Sequence, residues 1–171
     1  MEEKDFLQSL GYIGFATRLK RISDSFLHDG RKLYKELGLD IEPNWYIIFK
    51  ILKLEKKLSV TEIAERVQMS HPSVITLTDN MIAAGYVKTR RGRVDGRVRM
   101  LELTRKAKIR LPELEKMWDA GEVALETAFR DINGLEVIGE IERRMNHKGF
   151  KDRAMHELQK RVNRSTKHKK A

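Results

Sequence analysis

The chain has 171 residues, of which 40% are hydrophobic and 35% charged, a globular and charge-rich composition with room for one domain and its core. It contains no cysteine, which excludes disulfides, thiolate zinc sites and cysteine-based redox sensing. The opening MEEKDF is acidic with no apolar run behind it, and no uncharged apolar stretch approaches the roughly 18 residues of a membrane span, so a cytoplasmic location away from membranes is expected.

Charge is unevenly distributed along the chain. Of the net +10, the stretch Tyr86 to Leu111 holds ten Lys or Arg against Asp95 and Glu102, a surplus of +8. Arg143 to Ala171 holds eleven against Asp152 and Glu157, a surplus of +9, which leaves −7 on the rest. Two basic regions on an acidic body point to a polyanionic partner, nucleic acid first and an anionic membrane surface second.

From Phe6 to Leu37, apolar residues recur at helical spacing with interruptions at Gly11, Gly14 and Gly30, which predicts one long helix or two abutting ones, stopped by Gly38. Pro43 opens a second helix, Asn44 to Lys56, with Trp45, Ile48, Phe49 and Leu52 on its core side. Ser59 or Thr61 caps a short third helix through Val67. After the turn Gln68-Met69-Ser70 comes a fourth, with Pro72 in its first turn, Val74, Leu77, Thr78 and Met81 as its inner stripe, and Gly85 at its end.

Tyr86 to Arg91 and Arg97 to Leu103 alternate as two strands, joined by the loop Gly92 to Gly96. Thr104 then caps a long helix to about Ile132, in which Pro112 predicts a kink. Asn133-Gly134 breaks the pattern, and Leu135 to Met145 reads as the final amphipathic helix. The tail KRVNRSTKHKKA is basic and poor in apolar residues, a composition that predicts disorder at its end.

Two short helices around a tight turn, followed by a basic hairpin, define a winged helix-turn-helix. A helix fits the major groove of B-DNA and sets side chains against base edges. With its inner stripe buried, the fourth helix presents Ser73, Thr76 and Asn80 outward, while His71 and Pro72 stand at its leading end, where free N–H groups favour an anion. Polar helix faces are ordinarily just solvated; the basic wing that follows turns this one into a candidate reader of DNA.

In the hairpin, Lys88, Arg90, Arg91, Arg93, Arg97 and Arg99 lie within twelve residues, a density suited to phosphates and narrow minor grooves. Asp95 is either a clamp on Arg97 or an ordinary turn aspartate.

The run LSVTEIAERVQMSHPSVITLTDNMIAAGYVKTRRGRVDGRVRMLELT resembles the MarR family of bacterial regulators. It carries that family's D-x-R as Asp95-Gly96-Arg97 and its closing leucine-x-leucine-threonine as Leu101, Leu103 and Thr104. LGLDIEPNWYIIFKIL resembles the family's junction between its first two helices, so the likeness covers roughly residues 6 to 146. It implies a mainly α fold, a winged helix-turn-helix with a two-stranded wing plus N- and C-terminal dimerisation helices. It also implies a homodimer on a pseudo-palindromic operator in double-stranded DNA, released by a small-molecule effector. Two features depart from the family: Ala107 stands where a glycine is usual, and the basic extension past Gly149 is longer than the family needs.

The expected organisation is then a helical dimerisation region from 1–38 and 104–148, a DNA-binding region from 39–103, and a basic extension from 149–171. Tyr12, Phe15, Trp45 and Trp118 are candidate liners of an effector pocket, although aromatics of this kind are more often core. The five histidines show no metal-ligand spacing, and no cofactor motif or clustered catalytic constellation is present, so neither a metal nor an enzyme is expected. The competing reading is a nonspecific architectural or RNA-binding protein that simply grips phosphates.

Overall fold

The computed structural model of the chain describes residues 5–91 and 99–168. A short helix α1 (Phe6–Ser9), capped by Asp5, runs through a 3-10 turn (Gly11–Gly14) into α2 (Phe15–Glu36). Gly38 ends α2 with φ +65°: its N–H donates to the Lys35 carbonyl, and the Leu39 N–H donates to the Tyr34 carbonyl at 2.8 Å. This reciprocal closure needs a left-handed residue at that position, which glycine supplies without a Cβ penalty. Gly30, expected to interrupt the helix, lies inside it. There it makes room for a neighbour, because a Cβ at this position would stand 2.9 Å from Pro43 Cγ.

Pro43 starts the 3-10 turn Pro43–Trp45, which continues as α3 (Tyr46–Glu55). Then come β1 (Leu58–Ser59), α4 (Val60–Val67), α5 (His71–Ala83), β2 (Val87–Arg91) and β3 (Arg99–Leu103). The predicted third and fourth helices are α4 and α5. The sheet is antiparallel in the order β1-β3-β2, so the two-stranded wing gains a third strand, with Leu58 opposite Leu101 and Ser59 opposite Met100. The long helix α6 (Arg105–Phe129) passes through Pro112 and ends in a 3-10 turn, Arg130–Ile132. Next come α7 (Gly134–His147) and α8 (Phe150–His168).

α8 corrects the expectation that the chain's last helix ends near Met145. Phe150, Ala154, Leu158 and Val162 recur every four residues among good helix formers, so the basic composition masks an amphipathic period.

The chain divides into two compact units, Met1–Leu114 and Glu115–Ala171. The first contains the core: Ile48, Phe49, Leu52, Ile63, Val74, Met81, Tyr86, Val87, Leu101, Ala107 and Leu114 are buried. Each fully buried large side chain contributes about 1.5–3 kcal/mol, so this cluster is what holds α3 to α5 and the sheet in place. In the second unit no described residue from 115 to 163 is buried.

Candidate nucleic-acid interface

The turn before α5 is fixed from both sides. Ser59 caps α4 in a reciprocal box, accepting from the Glu62 N–H while Glu62 accepts from the Ser59 N–H at 2.7 Å. Gln68 then takes a left-handed conformation (φ 53°), and the Met69 N–H closes on the Ala64 carbonyl. Ser70 caps α5, accepting from the Ser73 N–H at 3.3 Å, and Pro72 occupies the first turn, where no N–H is missed.

The helix buries the expected stripe: Val74, Leu77, Thr78 and Met81 are all inside, and the Thr78 hydroxyl is satisfied by the Val74 carbonyl at 2.8 Å. Rotation is thereby set, and His71, Pro72, Ser73, Thr76 and Asn80 are exposed. They are not equivalent donors. The Thr76 hydroxyl donates to the Pro72 carbonyl at 3.0 Å, so it offers outward only its lone pairs and its methyl group. The Ser73 and Ser70 hydroxyls pair at 2.7 Å. Asn80 makes no side-chain hydrogen bond among the described residues, and its amide carries both a donor and an acceptor, the set that matches an adenine edge.

Asp79, which the sequence reading passed over, is exposed beside Asn80 and puts a negative charge on the same face. The helical wheel that selects Thr76 and Asn80 also sweeps in residue 79, so the signal was present.

In the wing, the register sets Val87 opposite Leu103, Lys88 opposite Glu102, Thr89 opposite Leu101, Arg90 opposite Met100 and Arg91 opposite Arg99. Period two puts Val87, Leu101 and Leu103 on the core side and Lys88, Arg90 and Glu102 on the outer side. There, Glu102 gathers three cations: the Arg90 Nε at 2.6 Å, Lys88 at 3.1 Å and Lys57 at 3.6 Å. Partial burial raises the Glu102 pKa, but hydrogen bonds from Lys88 and Arg90 outweigh it and hold the carboxyl below the usual range. Lys88 and Arg90 of the wing, with Lys57, therefore form one network around Glu102 with a net excess of positive charge. Arg99 is exposed. Arg93, Asp95 and Arg97 lie outside the described residues, and with them the expected Asp95–Arg97 clamp; for Arg91 only the backbone is described.

A second polar cluster ties α5 to its surroundings. Tyr86, only 1% exposed, donates its hydroxyl to Asp40, and Lys106 Nζ donates to the other Asp40 oxygen at 2.8 Å and to the Ala84 carbonyl at 3.0 Å. Lys106 also stands 4.1 Å over the Tyr86 ring. Burial and the Asp40 bond raise the tyrosine pKa, and the Asp40 bond raises that of Lys106. Burial works in the opposite direction on Asp40, but Lys106 and Tyr86 prevail and its carboxyl titrates low.

Beside this cluster is an open cleft of about 840 Å³ whose lining includes Arg31, Tyr34, Lys35, Asp40, Trp45, Thr76 and Asn80. Of the four candidate pocket aromatics, Trp45 lines this cleft, though it is 5% exposed and packs edge-on against Tyr86 at 5.9 Å. Tyr12, 93% exposed, and Phe15 face each other at 6.3 Å away from that lining. Trp118 belongs to the other unit and is half-buried. Among the described residues no cluster of His, Asp or Glu could hold a metal, and no helix is long and apolar enough to cross a membrane.

Residues 39–98 match the sequence model of the MarR family. No curated protein sequence matches the chain. Among solved structures, reduced AbfR bound to DNA is similar at 21% identity over 82% of this chain and 96% of that one, with a TM-score of 0.62. The MepR–DNA complex of S. aureus is similar at 15% identity over 78% and 96%, TM-score 0.65. The regulator BldR from Sulfolobus solfataricus is similar at 20% identity over 85% and 99%, TM-score 0.53.

Proposed function

We propose that the chain, whose residues 39–98 match the sequence model of the MarR family, is a dimeric, sequence-specific DNA-binding transcription regulator, a repressor released by a small ligand. The observation that carries this reading is α5: its apolar side is sunk in the core, its polar side with Ser73, Thr76 and Asn80 is exposed, and a cationic sheet follows it. A helix held this firmly can present Thr76 and Asn80 to base edges while the wing holds phosphates, Arg90, Arg91, Arg93, Arg97 and Arg99 among the contacts. Residues 39–103 would then be the DNA-binding region, with 1–38 and 104–148 forming the dimer and 149–171 extending it. AbfR and MepR are seen with DNA in the same fold.

The effector site is the cleft beside Trp45, whose size suits a small ligand. The resemblance to the family implies a partly apolar, phenolic compound as the ligand. With no cysteine, the chain has no sulfenic-acid route to a peroxide response.

The test is binding of variants to operator and to scrambled DNA across a salt series. Thr76→Ala and Asn80→Ala are expected to lose about 1–3 kcal/mol on the operator and little on scrambled DNA. Arg99→Ala is expected to weaken both and to reduce the salt slope by about one unit. Equal losses on both DNAs for the α5 variants would show that this helix is not the reader.

A further inference from the structure

α5 holds no Lys or Arg, and Asp79 is its single acidic residue. The proposed function therefore sets a negatively charged helix against a polyanion and leaves the cations to the wing. A carboxylate in that position is repelled by phosphates, so it weakens binding unless it makes a contact of its own.

The fold gives Asp79 no other employment. Its side chain is exposed and makes no hydrogen bond or ion pair among the described residues. Its helical neighbours three and four positions away are Ile75, Thr76, Ile82 and Ala83, none of them a cation. It stands beyond the first turn of α5, where the helix dipole would favour an anion. Nor does it border the cleft beside Trp45, unlike Thr76 and Asn80.

Its place is the centre of the outward face. Val74, Leu77, Thr78 and Met81 form the buried stripe, and Pro72, Thr76 and Asp79, four and three residues apart, lie opposite it within about 60° of arc. A helix seated in the major groove on this face brings Asp79 toward the bases together with Thr76. What an ionised carboxylate can meet there is limited, because it only accepts. Guanine presents the acceptors N7 and O6, thymine the acceptor O4 and a methyl group, and adenine a donor beside an acceptor. Cytosine alone presents a donor, its N4 amine, with no acceptor on the same base.

We propose that Asp79 is a specificity-determining residue: its carboxylate accepts from the N4 amine of a cytosine in each half-site and repels sites that present guanine or thymine there. This rests on the proposed function and adds to it a base pair that Thr76 and Asn80 do not select.

The full chain and its Asp79→Ala and Asp79→Asn variants each enrich sites from a random library of double-stranded DNA, and anisotropy titrations then follow single base-pair changes in the parent's preferred site. The parent is expected to hold one C·G pair per half-site whose replacement costs about tenfold in affinity, and Asp79→Ala to lose less than about twofold for the same change. N4-methylcytosine at that position, which keeps the Watson–Crick pair and removes the major-groove N–H, should weaken the parent by a similar factor and leave Asp79→Ala unaffected. Asp79→Asn, which sets a donor beside the acceptor, should prefer adenine there instead. Unchanged base preferences in both variants, with affinity raised or lowered alike on every DNA, overturn the proposal and leave Thr76 and Asn80 as readers. Preference lost at an adenine in place of a cytosine overturns it as well. A parent chain that enriches no site overturns both this proposal and the proposed function.

Discussion

Replacing Glu102 by glutamine keeps the side chain's size and removes the negative charge that Arg90, Lys88 and Lys57 share. The carboxylate is 14% exposed and receives Arg90, Lys88 and Lys57, each of which is about half exposed. Hydrogen bonds to charged groups contribute roughly 1.5–3 kcal/mol when sheltered, and exposure of the three cations discounts that strongly. A net loss of about 1 kcal/mol is expected for Glu102→Gln near neutral pH, a fall of about 2–4 °C in melting temperature for a chain of this size.

The pH dependence has a definite sign. The folded carboxyl titrates below its unfolded value of about 4.3, so its contribution is present above that pH and is lost as the pH falls through the lower folded value. The parent and the variant should therefore converge in stability under acid.

DNA binding should move the other way. Up to three cations are released, and each that reaches a phosphate steepens the salt dependence by about 0.9. Glu102→Gln is expected to bind operator and scrambled DNA more tightly, with a slope steeper by about one unit. Urea unfolding and a salt series of anisotropy titrations measure both effects on one preparation. A variant that binds more weakly with an unchanged slope would show that the outer face of the wing does not meet DNA.

Further consequences follow from individual residues. Lys56 sits at φ 65°, ψ −45°, with the Lys57 N–H closed on the Glu55 carbonyl at 2.7 Å, a conformation costly for a side chain, so Lys56→Gly should raise stability by about 1 kcal/mol in chemical denaturation. Gly30→Ala should cost about 1–3 kcal/mol, because the new methyl meets the rigid Pro43 ring at 2.9 Å; a neutral result would mean that α2 and the turn after it separate freely. Tyr86→Phe should cost about 1 kcal/mol at neutral pH. Tyr86 and Lys106 both titrate above their ordinary values, so their contributions hold below pH of about 10 and fade as the pH rises, and the variant should lose part of this alkaline limb in thermal melts.

What the sequence made legible was local. α5 could be read in full because a cap, a proline in the first turn, a 3.6-residue period and a left-handed glycine all agree within fifteen residues. Gly85 closes that helix at φ 76° as Gly38 closes α2. β1 was missed because a two-residue strand has no period to detect; it exists only because β3 has a free edge for Leu58 and Ser59. The Glu102 network was missed for a related reason, since Lys57, Lys88 and Arg90 meet one carboxylate only once the register is known. Asp40, Tyr86 and Lys106 are separated by 46 and 66 positions and leave no local trace. Trp45 shows how the same residue supports two readings: its spacing places it on the core side of α3, and the structure puts it there with one edge left to the cleft.

That double position has a physical consequence for regulation. The segment from Asp40 to Trp45 is fastened to the far end of α5 through Tyr86, which follows the glycine that terminates the helix, packs edge-to-face with Trp45 and, at 5.4 Å, with Phe49, and donates to Asp40. Thr76 and Asn80, the side chains proposed to read bases, also line the cleft that Trp45 and Asp40 border. An effector in that cleft would not need a long path to reach the DNA surface, because it would touch the reading residues and the anchor of their helix together. Coupling of this kind is reciprocal: whatever factor the ligand takes from operator affinity, the operator must take from ligand affinity. A ligand bound there that left operator affinity unchanged would have to contact Thr76 and Asn80 equally well in both states, which a base edge held by the same side chains does not allow.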